Sequence, residues 1–187
     1  MYNLVKKKYP SVVVKGKDLF DASLFRDAES TKLFYTFMGE LSLLCNKARV
    51  TKTHGFIEFL ETRGTLLRWY TQNIDGLEDR ALAMRSQDPK PLENDLKKVS
   101  KLPKIIQLHG NLQNVKCTLC SAQLPIAVEH TATFIKGQAP ACPACTDIAL
   151  MRSALGKRAV SVGSLRPDVV LYNEHHSKGV IFSWLKT

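Results

Sequence analysis

Tyr70-Thr71-Gln72-Asn73-Ile74-Asp75-Gly76-Leu77 and, further along, Leu108-His109-Gly110 decide how this chain is read. Each closes an apolar run: Leu66, Leu67, Trp69 and Tyr70 lead into the first, Ile105, Ile106 and Leu108 into the second. Runs of this composition suit buried strands, so both stretches deliver polar side chains where a strand leaves its sheet. In open α/β sheets ligands bind at that edge. A Gln, an Asn, an Asp and a His brought there together can grip a small polar ligand and move a proton.

Working outward, Thr65–Thr71 and Lys104–Leu108 are the expected strands, and Gly76-Leu77 opens the next turn or helix. Upstream, Leu33, Phe34, Phe37, Met38, Leu41, Leu44 and Cys45 recur at steps of three and four, the stripe of an amphipathic helix. Ser30 is its expected N-cap, and Cys45 on that stripe reads as a small buried hydrophobe. A shorter helix is expected from Thr53 to Thr62, with Phe56, Ile57 and Leu60 on one face and His54 as a surface or capping residue. Residues 1–18 read as loop with at most one short element. Residues 85–104 mix prolines with Lys and acidic side chains and read as a solvated loop. Downstream, a helical piece is expected around Ile148–Leu155. Arg166–Tyr172 reads as one more strand, with Pro167 at its start, where a missing N–H is tolerated.

The totals set bounds. At 187 residues, 44% hydrophobic and 24% charged, the chain matches a globular protein with a real core. No apolar run approaches the roughly 18 to 20 residues that span a bilayer, and the N-terminus lacks the apolar segment of a secretory signal. We therefore expect an intracellular protein with no membrane partner. Lys and Arg number 27 against 17 Asp and Glu, a formal charge of +10 that favours acidic or phosphate-bearing partners without choosing one.

Four of the five cysteines form two close pairs, Cys117-x-x-Cys120 and Cys142-x-x-Cys145. Two thiolates three residues apart on a tight turn take two corners of a tetrahedron, and a second such turn supplies the others. In a chain with no export signal this points to one structural zinc ion rather than to disulfides. Four sulfurs leave no open position for substrate, and His109 is not needed as a ligand. Its imidazole is then available as a general base, although position alone equally allows a histidine bound to a nearby carbonyl. Gln72, Asn73 and Asp75 carry amide and carboxylate groups suited to a carboxamide and ribose hydroxyls. Singly, each polar member is also an ordinary turn residue.

Thr53-His54-x-Phe56-Ile57, Tyr70 to Glu78, Leu108-His109-Gly110, the two cysteine pairs and Arg166-Pro167-x-Val169-Val170-x-Tyr172-x-Glu174 follow one another in the order seen in sirtuins. From Tyr2 to Gly179 the chain resembles the fungal, nuclear, histone-directed branch of these NAD-dependent protein deacetylases. The resemblance implies an α/β fold: an incomplete Rossmann-like, mostly parallel sheet with flanking helices and an inserted four-cysteine zinc module. It implies a partial catalytic core over 1–110, a zinc module over 111–162, and a return strand with an atypical tail over 163–187. Gln72 and Asn73 would contact the nicotinamide ribose, Ile74 and Asp75 the nicotinamide carboxamide, and His109 would be the base. The acyl oxygen of an acetyl-lysine would attack the ribose carbon as nicotinamide leaves; lysine and an acetylated ADP-ribose would be the products. Val169, Val170, Leu171 and Tyr172 would bind the acetylated protein or histone peptide by strand addition. NAD and zinc are the implied cofactors, chromatin an implied partner, and the nucleus the implied location, with the cytoplasm second.

Two departures qualify the resemblance. A sirtuin carries a glycine-rich pyrophosphate turn and an Asp-Phe-Arg segment upstream of the position matching Tyr2, and adenine-side strands after the position matching Gly179. None lies in this chain, whose ten glycines include no GxG pair. The expectation is therefore weak or absent NAD binding by this polypeptide alone. Val180–Thr187 show no family pattern and are expected to come from an unspliced intron or a wrong gene model, with Met1 an internal start. The competing reading is a non-catalytic zinc-containing fragment that binds a protein partner or nucleic acid, which the cysteines and the +10 charge alone would support.

Overall fold

A computed structural model describes residues 16–83 and 104–174. Most of the expected loops at 1–18 and 85–104, and the tail 180–187, lie outside the described residues.

Two short 3-10 helices, Gly16–Phe20 and Ala22–Arg26, lead into a twenty-residue helix, α1, Ala28–Lys47. α1 forms where the three-and-four stripe predicts it. Leu33, Phe34, Phe37 and Met38 are buried, while Leu44 at the C-terminal end of the stripe is 51% exposed. Its N-cap is Asp27 rather than Ser30: the Asp27 carboxylate accepts from the Ser30 N–H at 2.8 Å. Ser30 instead sits buried in the first turn. Asp is as good a cap as Ser, and the apolar period alone does not distinguish positions one turn apart.

α2, Lys52–Thr62, follows, capped by Thr51. His54 does the capping expected of it, since its Nδ1 accepts from the Thr51 N–H at 3.2 Å, but it is buried rather than on the surface, with its ring tilted against that of Trp69. Phe56 was expected on the packed face and is 60% exposed, leaving Ile57 and Leu60 half-buried. β1, Trp69–Thr71, is shorter than the expected Thr65–Thr71 strand because only β2, Ile105–Gln107, pairs with it among the described residues. The pairing is parallel, Trp69 against Ile105 and Thr71 against Gln107. Between them lies α3, Leu77–Ala83.

The second sheet is antiparallel, in the order β4-β3-β5. β3, Gly110–Cys117, runs straight from His109 to the first cysteine. β4 is Gln123–Pro125 and β5 is Leu165–Val169. Pro167 is therefore the third residue of β5, not its first, with its side chain fully buried. β5 is an edge strand, which is where a sheet tolerates proline. α4, Val128–Ile135, had no forecast; α5, Pro143–Ala154, begins five residues before the expected helical piece because Pro143 occupies its first turn. The fold is thus α/β, with a parallel pair beneath the polar loops and an antiparallel ladder in the cysteine-bearing part.

One core joins both parts. Leu33, Phe34 and Met38 of α1 pack in the same cluster as Val115 of β3, Phe134 of α4 and Leu165 of β5. Each such side chain contributes roughly 1.5–3 kcal/mol on burial. Tyr35 stacks on Phe134, with ring centroids 5.4 Å apart. Gly39 permits this approach: a Cβ there would stand 2.8 Å from the Ile135 nitrogen. No helix among the described residues is long and apolar enough to cross a membrane.

Candidate functional site

The four cysteines of the two pairs converge. All four sulfurs lie within 4.8 Å of one another, with Cys117 Sγ 3.8 Å from Cys145 Sγ and Cys120 Sγ 3.7 Å from Cys142 Sγ. A tetrahedral zinc–thiolate centre with bonds of about 2.3 Å separates its sulfurs by about 3.8 Å, whereas a disulfide holds them near 2.05 Å. The donor set fits a structural zinc ion and excludes S–S bonds. Local backbone builds it. The N–H groups of Leu119 and Cys120 donate to Cys117 Sγ at 3.3 and 3.4 Å, and Cys142 caps α5 so that Cys145 falls in its first turn. Gly163 closes the far side, where a Cβ would stand 2.5 Å from Cys117 Sγ. Burial pushes the Cys117 thiol up, but hydrogen bonds from the two backbone N–H groups, together with those to the Cys120 and Cys142 side chains, outweigh it and bring it to about 6. Burial pushes Cys142 upward. Four thiols this close cannot all ionise without a cation between them, and a dication supplies the compensating charge.

The second feature is a cavity of about 630 Å³. Gln72, Asn73, Ile74, Asp75, His109, Val169, Val170, Leu171 and Tyr172 all line it, so every residue picked from the sequence for the nicotinamide, base and peptide roles shares one space. Phe20, Leu41, Cys45 and Asn173 complete the wall. Leu41 and Cys45 were visible only as members of the α1 stripe, and their spacing gives no hint that this part of the stripe borders a cavity. Phe20 and Asn173 carried no signal. Cys45 is half-buried; burial first, then the Asp75 charge, push its thiol up, which keeps it a hydrophobe rather than a nucleophile.

The loop after β1 is held from behind. The Thr71 hydroxyl accepts from the Asn73 N–H at 3.0 Å and donates to Glu78 Oε1 at 2.5 Å, with Glu78 completely buried. Asp75 Oδ1 accepts from the Leu77 N–H at 3.0 Å at the start of α3, and its second oxygen has no hydrogen-bond partner among the described residues. Gly76 takes φ +67°, and a Cβ there would collide with the Gln113 carboxamide at 2.2 Å. On the other side the Leu108 N–H donates to Thr71 O at 2.9 Å, and the Val170 N–H to His109 O at 3.0 Å. His109 is thus fixed at the junction of both sheets.

The 169–172 stretch is anchored in a way that narrows its use. The Val170 N–H goes to His109, the Leu171 N–H to Glu174 Oε2 at 3.2 Å, and the Tyr172 N–H to Phe20 O at 2.7 Å. These three donors are spent inside the chain, and so are the Leu171 carbonyl, which accepts from the Glu174 N–H at 3.3 Å, and the Tyr172 carbonyl, which accepts from the Ala22 N–H at 3.0 Å; a peptide laid here does not meet the alternating edge of a free strand. Glu174 also pairs with the Arg166 guanidinium. Asn173 adopts φ +61°, a conformation Asn tolerates better than most residues, and its Nδ2 donates to Asp21 Oδ2 at 2.7 Å.

The Sir2 family model matches residues 2–85 and 94–186 of this sequence. The chain belongs to the Sir2 family. The break at 86–93 falls in the stretch read as a solvated loop, and the match runs on to residue 186. The sequence is 42% identical over 179 residues to the NAD-dependent histone deacetylase HST3 of Candida albicans, covering 94% of this chain and 37% of that protein. It is 40% identical over 181 residues to HST3 of Saccharomyces cerevisiae, covering 94% and 40%. This sirtuin chain therefore spans about two-fifths of the length of these relatives. Among solved structures, Sir2Tm bound to a propionylated peptide superimposes with a TM-score of 0.60 at 19% identity, over 97% of this chain and 61% of that one. That likeness establishes the shared fold.

Proposed function

We propose that the chain carries the nicotinamide and acyl-transfer part of an NAD-dependent protein-lysine deacetylase, acting on acetylated histones. The supporting observation is the shared cavity, which gathers an amide pair, a carboxylate, an imidazole and an apolar wall. Gln72 and Asn73 bind the nicotinamide ribose, and Ile74 with the second Asp75 oxygen holds the carboxamide. NAD supplies the ribose carbon at which the acyl group is captured as nicotinamide departs. His109 removes the proton from a ribose hydroxyl. Val169, Val170, Leu171 and Tyr172 receive the acetylated peptide and give an apolar wall to the acyl-lysine stem. The Cys117–Cys120–Cys142–Cys145 zinc ion takes no part in the chemistry, since four thiolates saturate it.

Histone substrates are supported by the two relatives, each a NAD-dependent histone deacetylase, and we extend that reading to a nuclear location, chromatin association and a part in silencing, with which the +10 charge is compatible. The test is nicotinamide release from NAD with an acetylated histone peptide. Wild-type release that falls at least a hundredfold in His109→Ala supports the reading, on the scale of losing a general base. Equal absence of release in both folded proteins, at NAD concentrations high enough to offset weak binding, favours instead a zinc-containing module that binds a protein partner or nucleic acid.

A further inference from the structure

We propose that Gln107 is a positioning residue that holds the His109 turn against α3 through a relay of side-chain amides. This extends the reading of His109 as the base. Gln107 Nε2 donates to Asp79 Oδ2 at 2.9 Å, and Gln107 Oε1 accepts from Asn111 Nδ2 at 2.6 Å. Asn111 Oδ1 accepts from the Gln113 N–H at 3.0 Å, and Gln113 Nε2 donates to Gly76 O at 3.1 Å. The relay starts on α3, crosses the turn from the residue two before His109 to the residue two after it, and returns to the loop beside Asp75.

The direction of every bond is set by the chemistry at its ends. An ionised Asp79 only accepts, so the Gln107 NH2 must face it and the Gln107 oxygen must face Asn111. The Gln113 backbone N–H only donates, so the Asn111 oxygen must face it and the Asn111 NH2 must face Gln107. The two constraints agree, and neither carboxamide can flip without losing both of its bonds. Asn111 is 8% exposed, which makes an unpaired carboxamide there costly. The main chain of the turn is fixed separately, by the Leu108 N–H to Thr71 and the Val170 N–H to His109. Those bonds set where the turn sits, while the relay sets how it is rotated about them, and with it the direction of the imidazole.

The experiment exchanges the polarity of one bond. Gln107→Glu keeps the acceptor for Asn111 but replaces the donor facing Asp79 with a second carboxylate. Asp79→Asn added to it restores a donor–acceptor pair in the opposite sense. In the isotope-labelled full chain, the His109 imidazole resonance, identified by its loss in His109→Ala, shifts in Gln107→Glu and returns in the double variant. In nicotinamide release with an acetylated histone peptide, kcat falls roughly tenfold in Gln107→Glu with KM for the peptide within about twofold, and the double variant recovers most of it. Should Gln107→Glu unfold the chain, Asn111→Ser, too short to reach Gln107, reads the same resonance. A resonance unmoved in the folded variant, or a folded double variant no closer to wild type than the single, overturns the proposal. Wild type that releases no nicotinamide even at NAD concentrations high enough to offset weak binding would instead overturn the deacetylase reading, while the resonance still decides the role of Gln107.

Discussion

Thr71 is where a residue that looks ordinary carries the polar wall. Its hydroxyl is the only hydrogen-bond partner of the buried Glu78 carboxylate among the described residues, and it also fixes the Asn73 N–H. Removing it leaves a buried acid with no partner, which costs about 1–3 kcal/mol or more. Thr71→Val is therefore expected to lower the unfolding free energy by about 2 kcal/mol in a denaturant titration. Adding Glu78→Leu, which takes away the stranded acid, should return part of that loss; a double variant less stable than the single contradicts this account. The sequence revealed Gln72, Asn73, Asp75 and His109 as a group: singly each is an ordinary turn or carbonyl-bound residue, and it is their place at two strand ends, in the order seen in sirtuins, that marks them. It hid Thr71 and Glu78. A Thr in a strand is expected from propensity, and a Glu in the first turn of a helix is expected from the helix dipole. Only burial, which one sequence does not report, separates them from their neighbours.

Elements were legible where a period was long and unbroken. α1 showed itself by a stripe over several turns, yet its cap was misplaced because Asp27 and Ser30 are both good caps one turn apart. Asp27 gives a test of the observed cap. The Ser30 N–H lowers its carboxyl below the ordinary 3.8, so the folded state binds its proton less readily than the unfolded chain. The stabilisation is present above pH 3.8 and is lost as pH falls through the lower folded value. Thermal melts of Asp27→Ala should thus lie below wild type at neutral pH, with the gap closing in strong acid. A gap independent of pH would mean the carboxylate is not the cap. α4 was missed for a different reason. Val128–Ile135 is too short for a period to stand out, and it is recognisable only by its docking on α1 through Gly39. In an isolated helix Gly39→Ala would gain about 1 kcal/mol of propensity. Here the added methyl meets the Ile135 backbone at 2.8 Å, and overpacking of a core costs about 1–3 kcal/mol. The net expectation is a destabilised protein, read as a lower denaturant midpoint; a raised midpoint would show that the helices separate freely.

At the scale of the molecule, the zinc centre and the cavity are not independent parts. β3 carries Cys117 at one end and Gly110, next to His109, at the other, and β5 pairs along it before continuing into Val170–Tyr172. The sequence showed the cysteine pairs and the strand-end motifs as separate signals; the strand that joins them was invisible, because Gly110–Cys117 reads Gly-Asn-Leu-Gln-Asn-Val-Lys-Cys with no clean alternation. Structural zinc supplies apparent binding free energies of about 10–16 kcal/mol in small modules, as large as the roughly 5–15 kcal/mol net stability of a whole domain. Four buried or crowded thiols without that ion cannot hold β3, α5 and β5 together, and the disturbance must reach Gly110. Removing zinc with a strong chelator is therefore expected to abolish the cooperative thermal transition of the chain and, with it, nicotinamide release. Cys120→Ser, which swaps the exposed ligand for a weaker one, should reproduce the effect at lower chelator concentration. Restored release on adding one equivalent of zinc would show that the ion acts by building the strand beneath His109. A chelated chain that keeps both its melt and its release would separate the two sites and break that connection.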